Sequence, residues 1–208
     1  MRTQGALAGL AMLVVVLAGC TGASPDPMPA TQVATTTPSP SPSPSSTPSP
    51  TPTSSPDEFD ASVEPVAPPE LDGPPSKEAA GEVAKYFMAH FPYIAATGDF
   101  TRWDAMSGEV CNYCASSRSI AHDLVMADRH SVGGEIEFTD VLTWDHRPNQ
   151  FAVLLRFREH PSQTLDHRGV IVEDFPGIRD DEADMLVVWR DGAWQIDSVI
   201  VDVVGEES

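Results

Sequence analysis

The pattern of apolar positions changes period along the chain, and the change divides the folded part into helices followed by strands. Behind Ser76, the residues Ala80, Val83, Phe87, Phe91 and Ile94 recur at helical spacing, with Ala84 and Tyr86 beside them. This predicts an amphipathic helix over 77–96, with Ser76 as its N-cap. Pro92 falls inside the pattern, removes the bond to the Met88 carbonyl, and predicts a kink or a division there. Thr97-Gly98-Asp99 stops the helix: Gly98 suits a left-handed C-terminal cap, while Asp99 or Thr101 caps a short turn carrying Trp103 and Met106. A third helical segment opens at Cys111-Asn112-Tyr113-Cys114. It is expected to run to about His130 on Ile120, Leu124, Val125 and Ala127, with Gly133-Gly134 ending it.

Beyond the two glycines the period becomes about two. Ile136, Phe138, Leu142 and Trp144 mark a first strand, and Phe151, Val153, Leu155 and Phe157 a second across the turn Arg147-Pro148-Asn149-Gln150. A third is expected over 165–173 and a fourth over 185–190. Asp191-Gly192 is a strong hairpin signal, leading into a last strand over 194–203. Helices followed by a meander give an α+β class: N-terminal helices packed on a curved antiparallel sheet of four to five strands. In the last hairpin Val187, Trp189, Val199 and Val201 read as the face opposite Leu186, Val188, Trp194 and Ile196. Both faces then need cover. Helices supply one cover, and a loop or a homodimer through Val187, Trp189, Val199 and Val201 the other.

The first 75 residues have a different character. Arg2 precedes an apolar run over 7–17, which leads through Leu17-Ala18-Gly19 directly to Cys20. That is a secretory-signal layout, and it resembles the lipobox of bacterial lipoproteins. The resemblance implies cleavage between Gly19 and Cys20, diacylglycerol on the Cys20 sulfur, and usually acylation of the new N-terminus. A transmembrane anchor fits less well, because the run is short of the ~20 residues a span needs. Between 24 and 75 lie 16 of the chain's 20 prolines and one aromatic residue, Phe59. Such a stretch cannot offset its ordering entropy, and its alternating prolines favour an extended spacer. At ~3.1 Å per residue, fifty residues reach on the order of 150 Å. Its Ser/Thr-Pro steps are also a compositional cue for O-glycosylation. Residues 57–72 carry six acidic side chains and no basic one, which reads as a solvated hinge. The organisation expected is a signal peptide (1–19), lipidated Cys20 with a disordered tether (20–75), a globular domain (76–204) and a tail (205–208).

The charge narrows the partners. The chain carries −19, and losing Arg2 with the signal makes it −20. Nucleic acid and anionic lipid surfaces attract basic patches instead. Membrane attachment therefore falls to lipid on Cys20, and two or more acyl chains hold stably where one does not. The expected location is extracytoplasmic, on the outer face of the cell membrane. With Cys20 assigned to lipid, Cys111 and Cys114 remain as a pair in an oxidising compartment, where disulfides persist. A structural disulfide at the start of the third helix is the favoured reading. Thioredoxin-like redox chemistry needs a βαβ context, and no strand precedes Cys111. Zinc needs two further ligands, and His122 alone does not complete a set. The six histidines show no paired spacing. Asp180-Asp181-Glu182-Ala183-Asp184 lacks the frame of a calcium loop and reads as a polar turn. No metal and no cofactor is expected.

Thr97-Gly98-Asp99 and Cys111-Asn112-Tyr113-Cys114, behind a lipobox and a Pro/Ser/Thr linker, resemble an uncharacterised actinobacterial lipoprotein family, a domain of unknown function with a T-G-D … C-x-x-C pattern. The likeness covers most of 76–204. More distantly, the three-helix start and the hairpin Trp189-Arg190-Asp191-Gly192-Ala193-Trp194 resemble the nuclear-transport-factor-like cone, which implies a curved sheet wrapped around a pocket. That fold serves enzymes, binders and scaffolds, so no activity follows from it. In such a cone a carboxylate or imidazole base pairs with Tyr or Trp, and Tyr86, His90, Asp99 and Trp103 are the candidates. Each also has a structural explanation, as core edge, helix surface, cap and core plug. The expected function is non-catalytic binding of a small ligand or an envelope protein. A cone-fold enzyme and a C-x-x-C thiol oxidoreductase are the alternatives.

Overall fold

In the computed structural model, which describes residues 59–207, the helical pattern behind Ser76 becomes α1 (Lys77–Thr97). Ser76 Oγ accepts from the Ala79 amide at 3.1 Å, as an N-cap should. The helix runs undivided through Pro92. Phe87, Met88 and Ile94 flank the proline and are all buried to 1% exposure or less, so packing on both sides holds the two halves in line. Gly98 ends the helix at φ +70°, its N–H returning to Ile94 O at 2.9 Å. A Cβ there would stand 2.7 Å from Val125 Cγ2, so the position excludes a side chain by packing as well as by dihedral angle.

Helix α2 (Thr101–Met106) follows, then α3 (Asn112–Met126). Cys111 is the N-cap of α3 and is disulfide-bonded to Cys114. The third helix is shorter than expected. Asp128 adopts φ 59° and stops it, an αL cap that Asp tolerates without being glycine. His130, expected near the end of that helix, instead lies in β1 (Arg129–Gly133) and pairs with Leu165.

Seven strands form two antiparallel sheets among the described residues. One is a four-stranded sheet ordered β2 (Ile136–Arg147), β3 (Gln150–Glu159), β6 (Ile178–Arg190), β7 (Ala193–Glu207). The other is three-stranded, ordered β1, β4 (Ser162–Asp166), β5 (Ile171–Phe175). The single strand expected over 165–173 is thus two strands. Asp166 Oδ1 accepts from the amides of Arg168 and Val170 and closes the turn between them.

Two further expectations are corrected by β6 and β7. The acidic run 180–184 is strand, not turn. Asp181 and Ala183 point inward, while Asp180 and Glu182 face outward and meet Arg158 and Arg156 of β3 at 3.1 and 2.8 Å. The division of the last hairpin into two apolar faces is also redrawn: Trp194 and Ile196 join the inner face, while Leu186 and Val188 stay on the outer one. The register shifts so that Leu186 pairs with Ser198 while Val187 pairs with Ile196, leaving Asp197 as the extra residue. A bulge of this kind reverses the parity of everything beyond it. Val187, Trp189, Trp194, Ile196, Val199 and Val201 therefore all face the helices. Val187 is 0% and Val199 8% exposed, so the patch proposed as a dimer surface is core.

The core brings Ala80, Val83 and Phe87 of α1 and Trp103 of α2 against Leu155, Val187 and Ile196 of the sheet. The folded part begins before Ser76. Ala61 is buried, Leu71 packs on the core, and Trp194 Nε1 donates to Glu70 O at 3.2 Å across 124 residues. The described part of the supposed hinge is therefore bound to the domain. Gly19, Cys20 and residues 24–58 lie outside the described residues.

Candidate functional site

Strand β3 supplies the floor of the site by simple continuation. Phe151, Val153, Leu155 and Phe157 alternate inward, and the next residue of the same parity is Glu159. On β6, Val187, Met185 and Ala183 lead in the same way to Asp181 and then Arg179. The register places Glu159 opposite Arg179 and Phe157 opposite Asp181. Three charged side chains thus stand at the end of an otherwise apolar face. Arg179 Nε donates to Asp181 Oδ1 and Oδ2 at 3.2 and 3.0 Å, and its NH2 group donates to Glu159 Oε2 at 2.5 Å. The Asp181 side chain is wholly buried, whereas those of Glu159 and Arg179 are 29% and 44% exposed.

These residues border a cavity of about 670 Å³. Its apolar wall includes Met88, Phe91, Leu124, Phe157, Phe175 and Val201, drawn from α1, α3 and both sheets. The volume lies within the range of small-molecule pockets. Burial raises the Glu159 pKa above the usual carboxylate value, with Arg179 opposing and Asp181 reinforcing the shift. Tyr113, on the same cavity, is also raised, chiefly by burial. The arrangement is a largely apolar chamber, open to solvent at Glu159 and Arg179, with a buried, ion-paired carboxylate behind them. Among the described residues, no group of three or more His, Cys, Asp or Glu is placed to hold a metal ion.

The four residues singled out from the sequence lie elsewhere. None of Tyr86, His90, Asp99 and Trp103 lines this cavity. Trp103 is 1% exposed, stacked on Phe87 at 4.2 Å, and donates from Nε1 to Cys114 O at 3.1 Å. It is a core plug that also anchors the disulfide turn. Asp99 is exposed; Oδ1 accepts from the Thr101 amide at 3.0 Å, and Oδ2 accepts from Tyr93 Oη at 3.3 Å. Those amide and hydroxyl partners at Thr101 lower its pKa. The T-G-D motif is therefore a helix-to-helix turn.

Tyr86 and His90 do meet, edge to face at 4.4 Å, beneath the N-terminal segment. His90 is 1% exposed; Nδ1 lies 2.8 Å from Tyr86 O, and Nε2 lies 3.7 Å from Glu64 Oε1. Burial lowers the His90 pKa against the opposing pull of the Tyr86 carbonyl and Glu64. Because the folded value is depressed, the unfolded chain takes the proton first as pH falls. The stability His90 contributes is then full above about pH 6.5 and is lost as pH drops through the folded value. Chemical denaturation should show that acid-side decline in the wild type and a flatter profile in His90→Gln. Equal slopes would rule out this group as the source.

Glu159, Arg179 and Asp181 carry a signal in the sequence. Inward parity continues past the last apolar residue of each strand, so a charge in phase with a core face marks a buried or lined site. The obstacle was the acidic run, which conceals a strand behind a turn-like composition.

The family model of DUF6318, described as a family of unknown function, matches residues 63–200. No curated protein matches the chain. Solved structures include an uncharacterised protein with a cystatin-like fold from Caulobacter vibrioides, 12% identical over 59% of this chain and 87% of that one, with a TM-score of 0.39. A protein from Novosphingobium aromaticivorans, provisionally named a scytalone dehydratase, is 12% identical over 60% and 83%, TM-score 0.42. The Kfla4162 protein from Kribbella flavida is 12% identical over 63% and 93%, TM-score 0.42.

Proposed function

Since the chain belongs to DUF6318, a family whose function is unknown, its activity has to be argued from the site, and we propose that it is a lipid-anchored extracytoplasmic protein whose cone-like domain holds a small, largely apolar molecule. The observation that carries the binding role is the 670 Å³ cavity, apolar on its walls and charged at one end through Glu159, Arg179 and Asp181. Apolar enclosure with a few convergent polar groups is the ordinary form of a ligand site. The anchor rests on the sequence: Leu17-Ala18-Gly19-Cys20 matches a lipobox, and the proline-rich stretch behind it suits a spacer. The Cys111–Cys114 disulfide agrees with an oxidising compartment. A structural role for it suits the geometry, since Cys111 is 3% and Cys114 1% exposed, whereas exchange with a partner thiol requires access.

A second reading keeps the same cavity and makes it catalytic. The raised pKa of Glu159 suits a general acid, with Tyr113 beside the same space. It differs from binding in expecting turnover of the bound molecule.

Native mass spectrometry of the mature, unreduced protein taken from its own cell envelope tests the proposal. The expected spectrum shows a diacylglycerol-bearing chain starting at Cys20, with a discrete non-covalent adduct that Val201→Trp, placed to fill the cavity, removes. Cys20→Ser should release the protein from the membrane fraction. An unmodified N-terminus overturns the anchor, and a wild-type spectrum with no adduct, like that of Val201→Trp, overturns the binding role.

A further inference from the structure

The walls of the cavity leave open what kind of polar group enters with the apolar body, and its charges decide between the possibilities. Four carboxylates border it: Glu159, Glu173, Asp174 and Asp181. Arg179 is the one lysine or arginine on the lining, and its guanidinium already donates to both Asp181 and Glu159. The other two acids have neutral partners. Glu173 Oε2 accepts from the Thr164 hydroxyl at 3.3 Å, and Asp174 Oδ1 accepts from the Gln163 side-chain amide at 3.1 Å. His160 also borders the space, but its Nε2 sits 3.0 Å from Glu137 Oε2, which is not on the lining. The chamber is therefore short of positive charge.

Resting on the reading of the cavity as a ligand site, we infer that its ligand is an organic cation, an alkyl- or arylammonium compound with its charged head at Glu159 and its apolar body among Phe91, Leu124 and Val201. In a space walled by apolar groups, charges interact more strongly than in water. A carboxylate or phosphate head would meet the acidic majority, whereas an ammonium offsets it. The aromatic complement points the same way. Phe91, Tyr113, Phe157 and Phe175 all border the cavity, and aromatic faces attract ammonium groups, including quaternary ones. Burial raises the Glu159 pKa and Asp181 adds to it, with Arg179 pulling the other way; one guanidinium faces the four carboxylates of the lining.

Three probes of equal chain length separate head-group charge from apolar burial: octyltrimethylammonium, octanol and octanoate. Each is titrated below its micelle-forming concentration into the full chain carrying Cys20→Ser, with binding read by calorimetry and ligand-observed NMR. The ammonium should bind at least tenfold more tightly than octanol, with octanoate the weakest. Glu159→Gln, which keeps the shape and removes the charge, should reduce the preference for ammonium over octanol several-fold and leave octanol binding unchanged. Val201→Trp should abolish all three. Octanoate binding as tightly as the ammonium overturns the charge assignment while leaving the cavity a ligand site. Ammonium binding undiminished in Val201→Trp places the cation on the acidic surface and likewise overturns it. If none of the probes binds and native protein carries no adduct, the cavity reading falls as well.

Discussion

Arg179→Met should destabilise the domain by about 3–5 kcal/mol at neutral pH, the cost of leaving a buried charge without its counter-ion. The Asp181 side chain is 0% exposed, and Arg179 Nε reaches both of its oxygens. Methionine retains much of the stem and removes the guanidinium, so lost packing contributes little. The penalty attaches to the buried carboxylate left without its partner. Asp181→Asn on the Arg179→Met background should recover part of the loss, because a buried amide is cheaper than a buried unpaired anion. Urea denaturation of the wild type, both single variants and the double variant gives the coupling directly. A loss under about 1 kcal/mol, with no coupling between the two substitutions, would mean that the pair does not hold the floor of the cavity.

The second large effect lies on the other side of the core. Trp103→Ala should cost about 3–5 kcal/mol, since the indole is 1% exposed and stacked on Phe87. It also removes the indole N–H bond to Cys114 O, which keeps its place in the α3 ladder. Trp103→Phe keeps most of the volume and loses that hydrogen bond, so about 0.5–1.5 kcal/mol is expected there. Against a domain stability on the order of 5–15 kcal/mol, the alanine variant should be close to unfolding at growth temperature. Ligand binding distinguishes this role from the one first suggested by the sequence. In Trp103→Phe the affinity for a cavity ligand should be unchanged, because Trp103 is not on the lining. An intact Tm with lost binding would reverse the assignment.

Much of the helical part was legible because its signals are local. A 3.6-residue period, Ser76 as a cap and Gly98 as an αL stop are each set within a turn or two of chain, and α1 follows them. The same holds for the Asp191-Gly192 turn, where both residues have positive φ, at 54° and 82°, as a tight hairpin requires. Asp128 shows the limit of such reasoning. It takes φ 59° and ends α3 in the absence of any glycine, and no local pattern distinguished it from a helical residue.

The candidate site was less legible, and for a definite reason. Tyr86, His90, Asp99 and Trp103 were chosen for chemical type and helical proximity. Yet α1 turns Met88 and Phe91 toward the cavity, while His90 lies against Glu64 and Phe87 against Trp103. Which flank of a nearly all-buried helix meets the cavity depends on what packs on it from distant chain. The ionic floor was half visible. Glu159, Asp181 and Arg179 continue the inward parity of their strands, but only the β3–β6 register puts Glu159 across from Arg179.

By itself the sequence determined the order of helices before strands, the hairpin turn, the spacing that lets Cys111 and Cys114 pair, and which face of β3 is apolar. Each depends on residues a few positions apart, whose dihedral and periodic preferences act before anything distant is in place. Only the tertiary structure decided that Trp194 and Ile196 share a face with Val199 and Val201, that an acidic run is a strand, and that a cavity opens beside Glu159. Those outcomes turn on which strand pairs with which, and on an extra residue at Asp197 that exchanges inside and outside between Ile196 and Val199.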